Sequence, residues 1–87
     1  MNPRVTRVRA LDDHALSVTF ASGETKHFDV RPYFGYRAFG RLQDPAFFRE
    51  VRVVNGTASW PGGIDFDPDT LYIDGVATTG AVVTIAV

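Results

Sequence analysis

The chain contains no cysteine and only one methionine and one tryptophan. Without cysteine it has no disulfide, no thiolate metal ligand and no cysteine nucleophile. Long hydrophobic runs are also missing: the longest, residues 81–87, is far shorter than the ~20 residues that span a bilayer. The first residues lack the pattern of a signal peptide. We therefore predict a cytoplasmic protein with no membrane contact.

Hydrophobic residues make up 45% of the 87-residue chain and aromatic residues 13%, which suffices for a packed core. The length is that of one domain, and no linker, repeat or low-complexity segment divides it. We predict a single domain over residues 1–87, with a core region at about 5–74 and an apolar C-terminal extension at 75–87.

The formal net charge of −1 conceals an uneven distribution. Residues 1–54 hold all nine basic side chains and six acids, whereas residues 55–87 hold four acids and no base. The favoured interpretation is that the two halves compensate each other within the fold. The alternative is an acidic end that meets a basic partner.

The first third of the chain has the pattern of strands. Residues 5–10 predict a first strand, residues 16–20 a second with apolar side chains at every other position, and residues 25–29 a third. Ser22-Gly23 supplies the turn between the second and third. We predict an antiparallel meander with Phe28 facing the core and His27 facing solvent.

Short helices are predicted where proline opens a segment, after Pro32, Pro45 and Pro68. Asp44 and Asp67 are well placed to cap the last two by accepting hydrogen bonds from first-turn amides. Helices this short are unstable alone, so they must pack on the sheet through their aromatic residues.

A second hairpin is predicted at residues 51–60, because Asn55-Gly56 is a strong signal for a two-residue turn. Residues 81–87 predict either a strand that completes the sheet or an edge strand that forms a homodimer. The fold class is α+β: an antiparallel sheet of about five or six strands, the meander plus the hairpin, with two or three short helices on one face.

Three segments resemble a known family: LSVTFASGETKHFDV at residues 16–30, LQDPAFFREVRV at 42–53 and WPGGIDFDPDTLY at 60–72. The last is similar to the Trp-Pro-x-Gly-x-Asp and Asp-Pro-x-x-Leu-Tyr motifs typical of the bacterial family catalogued as domain of unknown function 2442. The resemblance covers residues 5–74. The chain departs from it at Gly62, where relatives more often have a polar residue, and in the tail after Gly75.

The resemblance implies a small α+β domain with a meander and short helices. Some relatives stand alone and others are fused to a helix-turn-helix, and their genes often lie beside other small genes in arrangements suggestive of toxin–antitoxin pairs. No catalytic residue set is established for the family. The implied function is a non-enzymatic protein-interaction or regulatory module, antitoxin-like, whose partner is a neighbouring small protein.

The spacing of Asp65, Asp67 and Asp69 is that of the start of a calcium loop. However, Thr70 replaces the glycine of the sharp turn and Val76 the bidentate glutamate. The favoured interpretation is structural, with Asp67 as a helix cap. The alternative function is a small metal-dependent protein or enzyme that uses this aspartate cluster.

No catalytic constellation is predicted, and neither a cofactor nor a metal. The serines and the two histidines, His14 and His27, match no nucleophile motif and no zinc-ligand spacing.

Arg4, Arg7 and Arg9 cluster near the start of the chain, and Arg31, Arg37 and Arg41 surround Tyr33, Phe34, Tyr36 and Phe39. Arginine interleaved with aromatic residues can bind phosphate and stack on bases. Because the net charge is slightly negative and no helix-turn-helix pattern accompanies these residues, we expect Tyr33, Phe34 and Phe39 to be core, with arginines on the rim, and nucleic-acid contact to be only indirect.

The segment from Trp60 to Tyr72 is the predicted interaction surface. Trp60 is interpreted as a large core or rim anchor at the end of its strand, or as a binding hot spot beside the Gly62-Gly63 turn. The two roles are compatible, because one ring face can pack while the other is exposed. The predicted surface comprises Trp60, Gly62, Gly63, Asp65, Asp67, Asp69 and Tyr72.

Overall fold

The computed structural model describes residues 2–78. Over that range the chain forms seven strands and two α-helices. The strands are β1 (Val5–Leu11), β2 (Ala15–Phe20), β3 (Thr25–Asp29), β4 (Arg52–Val54), β5 (Thr57–Trp60), β6 (Ile64–Asp65) and β7 (Val76–Ala77). The helices are α1 (Pro45–Phe48) and α2 (Pro68–Asp74), and 3₁₀ turns cover Asp12–His14, Arg31–Tyr33 and Arg37–Gln43.

The first sheet contains the predicted meander and has the order β1-β2-β3-β7, with every neighbouring pair antiparallel. Alternate residues of β2 are buried, which confirms the period-two prediction. Phe28 is buried and His27 exposed, also as predicted. The short strand β7 closes the described edge by pairing with Lys26 and His27.

The second sheet contains the predicted hairpin and has the order β4-β5-β6. Its turn residues Asn55 and Gly56 have φ values of 52° and 79°, the left-handed conformation that an Asn-Gly hairpin turn requires. All four residues of β5 are buried, whereas β4 is exposed throughout.

The α+β class is confirmed, but the strands divide between two sheets where the sequence predicted one. The sheets meet where the amide of Val5 donates to the carbonyl of Gly56 at 2.9 Å. In the described chain no ladder continues from there, because the register of β1 shifts between Val5 and Arg7 and such a bulge bends the strand away.

Both predicted aspartate caps are present. Asp44 Oδ1 accepts from the amide of Ala46 at 3.1 Å, and Asp67 Oδ1 accepts from the amide of Asp69 at 2.9 Å. The core lies between the sheets and these short helices, and its members are Val5, Leu16, Val18, Phe20, Phe28, Val30, Leu42, Phe47, Phe48, Ala58, Trp60, Phe66 and Leu71. Of these, Phe47, Phe48 and Leu71 are contributed by the two helices, which confirms that the helices pack through apolar side chains.

In the described range, no helix is long and apolar enough to cross a membrane. The strand predicted at residues 81–87, and with it the predicted homodimer contact, lies outside the described residues.

Candidate interaction surface

The structure divides the predicted surface into an exposed part and a buried part. The exposed residues are Gly62, Gly63, Asp65, Asp67 and Asp69. The two glycines have φ values of 91° and 79°, so they form a turn that L side chains rarely adopt.

Trp60 is buried, with 1% of its surface exposed, which agrees with the interpretation as a core anchor and contradicts the one in which a ring face is exposed to a partner. Its indole Nε1 donates to the carbonyl of Phe48 at 2.8 Å, and its ring contacts the rings of Phe48 and Phe66. A buried indole needs an acceptor for its N–H, and the end of α1 provides one. Trp60 therefore joins β5 to α1 and presents no face to a partner.

Tyr72 belongs to a different part of the molecule from the glycine turn. Its ring packs edge-on against Phe20 at 5.0 Å, and Lys26 Nζ lies 3.8 Å from its centroid. Its hydroxyl donates to Glu24 Oε1. This bond lowers the pKa of Glu24 and raises the pKa of Tyr72. Tyr72 thus fastens α2 to the first sheet.

Asp65, Asp67 and Asp69 do not converge. Within residues 2–78 no group of three or more histidine and acidic side chains is arranged to hold a metal ion. The Asp67 carboxylate accepts from the first-turn amide of α2, as the cap interpretation predicted. The metal-dependent alternative therefore loses the cluster on which it rested.

A groove adjoins the exposed glycine turn and extends beyond the predicted surface. It consists of two hollows of about 460 and 300 Å³ that share Phe39 and Asp65. We call it the Phe39 groove, and its lining side chains and turn are Tyr33, Tyr36, Arg37, Ala38, Phe39, Arg41, Gly62, Gly63, Ile64, Asp65, Phe66, Asp67 and Thr70.

One end of the Phe39 groove is basic. Arg37 and Arg41 lie there beside Gly62 and Gly63. The Arg41 guanidinium lies 4.1 Å from the centre of the Phe47 ring, which holds it in place. A Cβ on Gly62 would lie 3.3 Å from Arg41 Nη1, so glycine leaves room for the guanidinium.

Neither arginine is neutralised by a neighbour. Among the described residues the ion pairs are Arg31 with Asp29 and Arg49 with Asp12, so no carboxylate lies within 4.0 Å of Arg37 or Arg41. Two exposed guanidinium groups at one end of a groove can bind a carboxylate by paired hydrogen bonds.

The other end of the Phe39 groove is aromatic with an acidic rim. Phe39 stacks parallel on the buried Phe66 at 4.5 Å, and Tyr36 is 61% exposed. Asp65 and Asp67 border the same hollow. Aromatic rings beside carboxylates favour a cationic side chain with an apolar stem. Asp65 lines both hollows and so lies between the two ends, whereas Asp67 lines only the aromatic one. The groove is therefore dipolar in the sense that it runs from Arg37 and Arg41 at one end to Asp67 at the other.

The sequence had singled out Arg37, Arg41, Tyr36 and Phe39 for a different role. They lie in and around a 3₁₀ turn that has no periodic signal, so their meeting with the glycine turn was not foreseen. Tyr33, Phe34 and Phe39 are half-buried and pack against the core, so the prediction that they are core residues is only partly right. The sequence signal that could have indicated this groove is the alternation of arginine with aromatic residues in this segment.

A second cleft of about 460 Å³ lies at the edge of the first sheet. Asp13, His27, Arg31, Tyr33 and Asp74 border it. The Tyr33 hydroxyl donates to Asp74 Oδ2 at 2.9 Å, and burial together with this bond raises the pKa of Tyr33. Arg31 donates to both oxygens of Asp29, also in this cleft, and these bonds lower the pKa of Asp29. The polar groups here thus bind one another.

The fold and the groove define a small α+β domain with an open, dipolar surface groove and no assembled metal cluster among residues 2–78. The family described as "Protein of unknown function (DUF2442)" matches residues 5–75, so the chain belongs to this family and the resemblance found in the sequence is confirmed. No curated protein and no solved structure matches the chain.

Proposed function

We propose that the protein is a non-enzymatic interaction module that binds an extended segment of a partner protein in the Phe39 groove. The observation that carries the proposal is the dipolar character of the groove. Two arginines without an ion pair in the described chain lie at one end, an exposed tyrosine and Asp67 lie at the other, and Asp65 lies between them.

The charges define the partner segment. An acidic side chain would bind Arg37 and Arg41, which already have an open site beside the glycine turn. A lysine or arginine a few residues away would lay its apolar stem over Tyr36 and Phe39 and its cation near Asp65 and Asp67. Opposite charges at the two ends fix the direction in which the segment lies.

The proposed setting is a regulatory pair in the bacterial cytoplasm, in which the partner is the product of a neighbouring gene. The support is family-level analogy and the absence of cysteine, which suits a reducing compartment. Co-purification of the two gene products from cells that express both would check this setting.

The groove itself is tested by selecting peptides from a random display library on the immobilised protein. We expect enrichment of sequences with an acidic residue a few positions from a basic one. Arg37→Glu should abolish the acidic preference and retain the basic one, because it reverses the charge at one end only. Arg52→Glu makes the same charge change on the exposed strand β4 and is the matched control.

Two outcomes would contradict the proposal. One is a selection in which wild type enriches no charge pattern. The other is a preference that Arg37→Glu and Arg52→Glu change equally, since that would reflect overall charge and not the groove.

A further inference from the structure

The outer face of the first sheet is a surface that the Phe39 groove does not use. The register of the strands places Arg7, Thr19 and Thr25 side by side in one row, and Arg9, Ser17 and His27 in the next. Cross-strand neighbours point to the same side of a sheet, and their inward neighbours Leu16, Val18 and Phe28 are buried. The six side chains therefore form one outward polar face.

One end of this face contains a shallow hollow that is lined by arginine and hydroxyl side chains. The hollow, of about 290 Å³, is lined by Arg7, Arg9, Ser17, Thr19 and Thr25. Both arginines are exposed, and neither forms an ion pair with any described residue. The hydroxyl oxygens of Thr19 and Thr25 lie 3.1 Å apart, so one hydroxyl donates its proton to the other. The accepting hydroxyl keeps its own proton, which it can donate to a ligand.

The acidic side chains nearest this face either bind other groups or lie at the end away from Arg7. Asp29 lies on the outer face but in the row beyond His27, and both its oxygens accept from Arg31. Glu24 precedes β3 but is bonded to Tyr72, which packs on the inward residue Phe20. Asp13 and Asp74 border the cleft at His27, at the opposite end from Arg7. The unpaired positive charges of this face, within the described chain, are therefore those of Arg7 and Arg9.

The composition of the face indicates the class of ligand. Its two rows contain guanidinium, imidazole and hydroxyl groups, and their one aromatic ring, that of His27, does not line the arginine hollow, so the face has no series of rings on which unpaired bases could stack. Nor do the two rows contain the apolar centre of a protein interface. Interfaces with duplex nucleic acid, by contrast, are polar and positively charged, and their phosphate contacts come from arginine, serine and threonine.

The spacing agrees with this class. Arg7 and Arg9 are two residues apart on one strand, so their backbones are separated by about 6.8 Å. This is comparable to the separation of successive phosphates along a nucleic-acid strand. We propose that this face binds the phosphate backbone of duplex nucleic acid, without reading its sequence, through Arg7 and Arg9.

The test is fluorescence anisotropy with a labelled duplex of about 20 base pairs and the corresponding single strand, over about 50 to 200 mM NaCl. Two phosphate contacts correspond to a salt slope of about −1.8, or about a tenfold loss of affinity over that range. Arg7→Ala/Arg9→Ala should bring the slope close to zero, because both phosphate contacts are lost. Arg7→Lys/Arg9→Lys should keep most of the binding, because lysine still supplies the charge.

The matched control is Arg49→Ala/Arg52→Ala, which removes two exposed arginines that belong neither to the outer face of the first sheet nor to the Phe39 groove. It should leave the slope unchanged. Equal losses in the two double-alanine variants, tighter binding of the single strand than of the duplex, or no duplex binding by wild type at the lowest salt would each overturn the proposal. So would binding of phosphatidylserine vesicles, with the same arginine dependence, in place of the duplex. None of these outcomes bears on the Phe39 groove.

Discussion

Gly56 shows most directly how a single residue determines the contact between the two sheets. It has a φ of 79°, and its carbonyl accepts the amide of Val5. The Arg4 side chain crosses the position where a Cβ would stand: that atom would lie 2.7 Å from Arg4 Nη1 and 3.0 Å from Cδ. The positive φ therefore favours glycine at this position, and a Cβ would also require the Arg4 side chain to shift.

Gly56→Ala should lower the free energy of unfolding by about 1–2 kcal/mol, because alanine is strained at positive φ, with a further loss if Arg4 cannot move aside. Urea unfolding, monitored by the fluorescence of the single tryptophan, measures this loss in the free energy of unfolding. Gly63→Ala separates the two causes, since Gly63 has the same φ of 79° and open space around it. Gly40→Ala, with neither constraint, is the control. A Gly56→Ala protein as stable as Gly40→Ala would contradict this account.

At the scale of elements, proline and aspartate determine where the helices begin. Asp67 accepts from the amide of Asp69, and Pro68 occupies the first turn of α2, so the helix starts where the sequence predicts. The helix in turn places Leu71 in the core. The same pairing of aspartate with proline predicts where α1 begins, and Asn55-Gly56 predicts the second hairpin. Both predictions succeed because each signal acts on residues that are neighbours in sequence.

Asp67→Ala should destabilise the protein by about 1 kcal/mol, because a first-turn amide of α2 loses its acceptor. Asp67→Asn should restore most of the stability, since an asparagine oxygen can cap as well. Thermal unfolding of the two variants beside wild type measures the difference. Equal losses for alanine and asparagine would show that the charge of Asp67, and not its hydrogen bond, is what stabilises α2.

Elements and contacts that depend on distant residues could not be predicted in this way. The two-residue strands β6 and β7 are too short to show a periodic pattern. The groove joins Arg37 and Phe39 to Gly62 and Asp65, which are more than twenty positions away in sequence. For Trp60 the sequence left both a buried and a half-exposed ring open, because its position at a strand end did not reveal that Phe48 supplies the acceptor for its indole N–H.

At the scale of the whole molecule, α2 is attached to the first sheet by a cluster that spans the chain. Tyr72 of α2 donates to Glu24, and Lys26 Nζ donates to the carbonyl of Tyr72 at 2.6 Å. The Tyr72 ring also packs on Phe20 of β2. Residues nearly fifty positions apart thus hold the last described helix against the meander.

Tyr72→Phe should reduce stability in a pH-dependent manner, because it removes the hydroxyl and keeps the ring. The Glu24 pKa is lowered in the folded protein from 4.5, so this bond stabilises the fold above that pH and is lost as pH falls through the lowered value. The Tyr72 pKa is raised from 10.0, so the same contribution is lost as pH rises through the raised value. The difference between wild type and variant should therefore be largest between these limits.

Urea unfolding across that pH range, together with an NMR titration of the Glu24 carboxyl, measures both effects. In Tyr72→Phe the Glu24 pKa should return toward 4.5, since the tyrosine hydroxyl is the largest cause of its shift. Tyr36→Phe is the matched control, because Tyr36 is exposed and its hydroxyl has no partner among residues 2–78. A stability difference that stays constant with pH, or an unmoved Glu24 pKa, would show that the ring alone holds α2 in place.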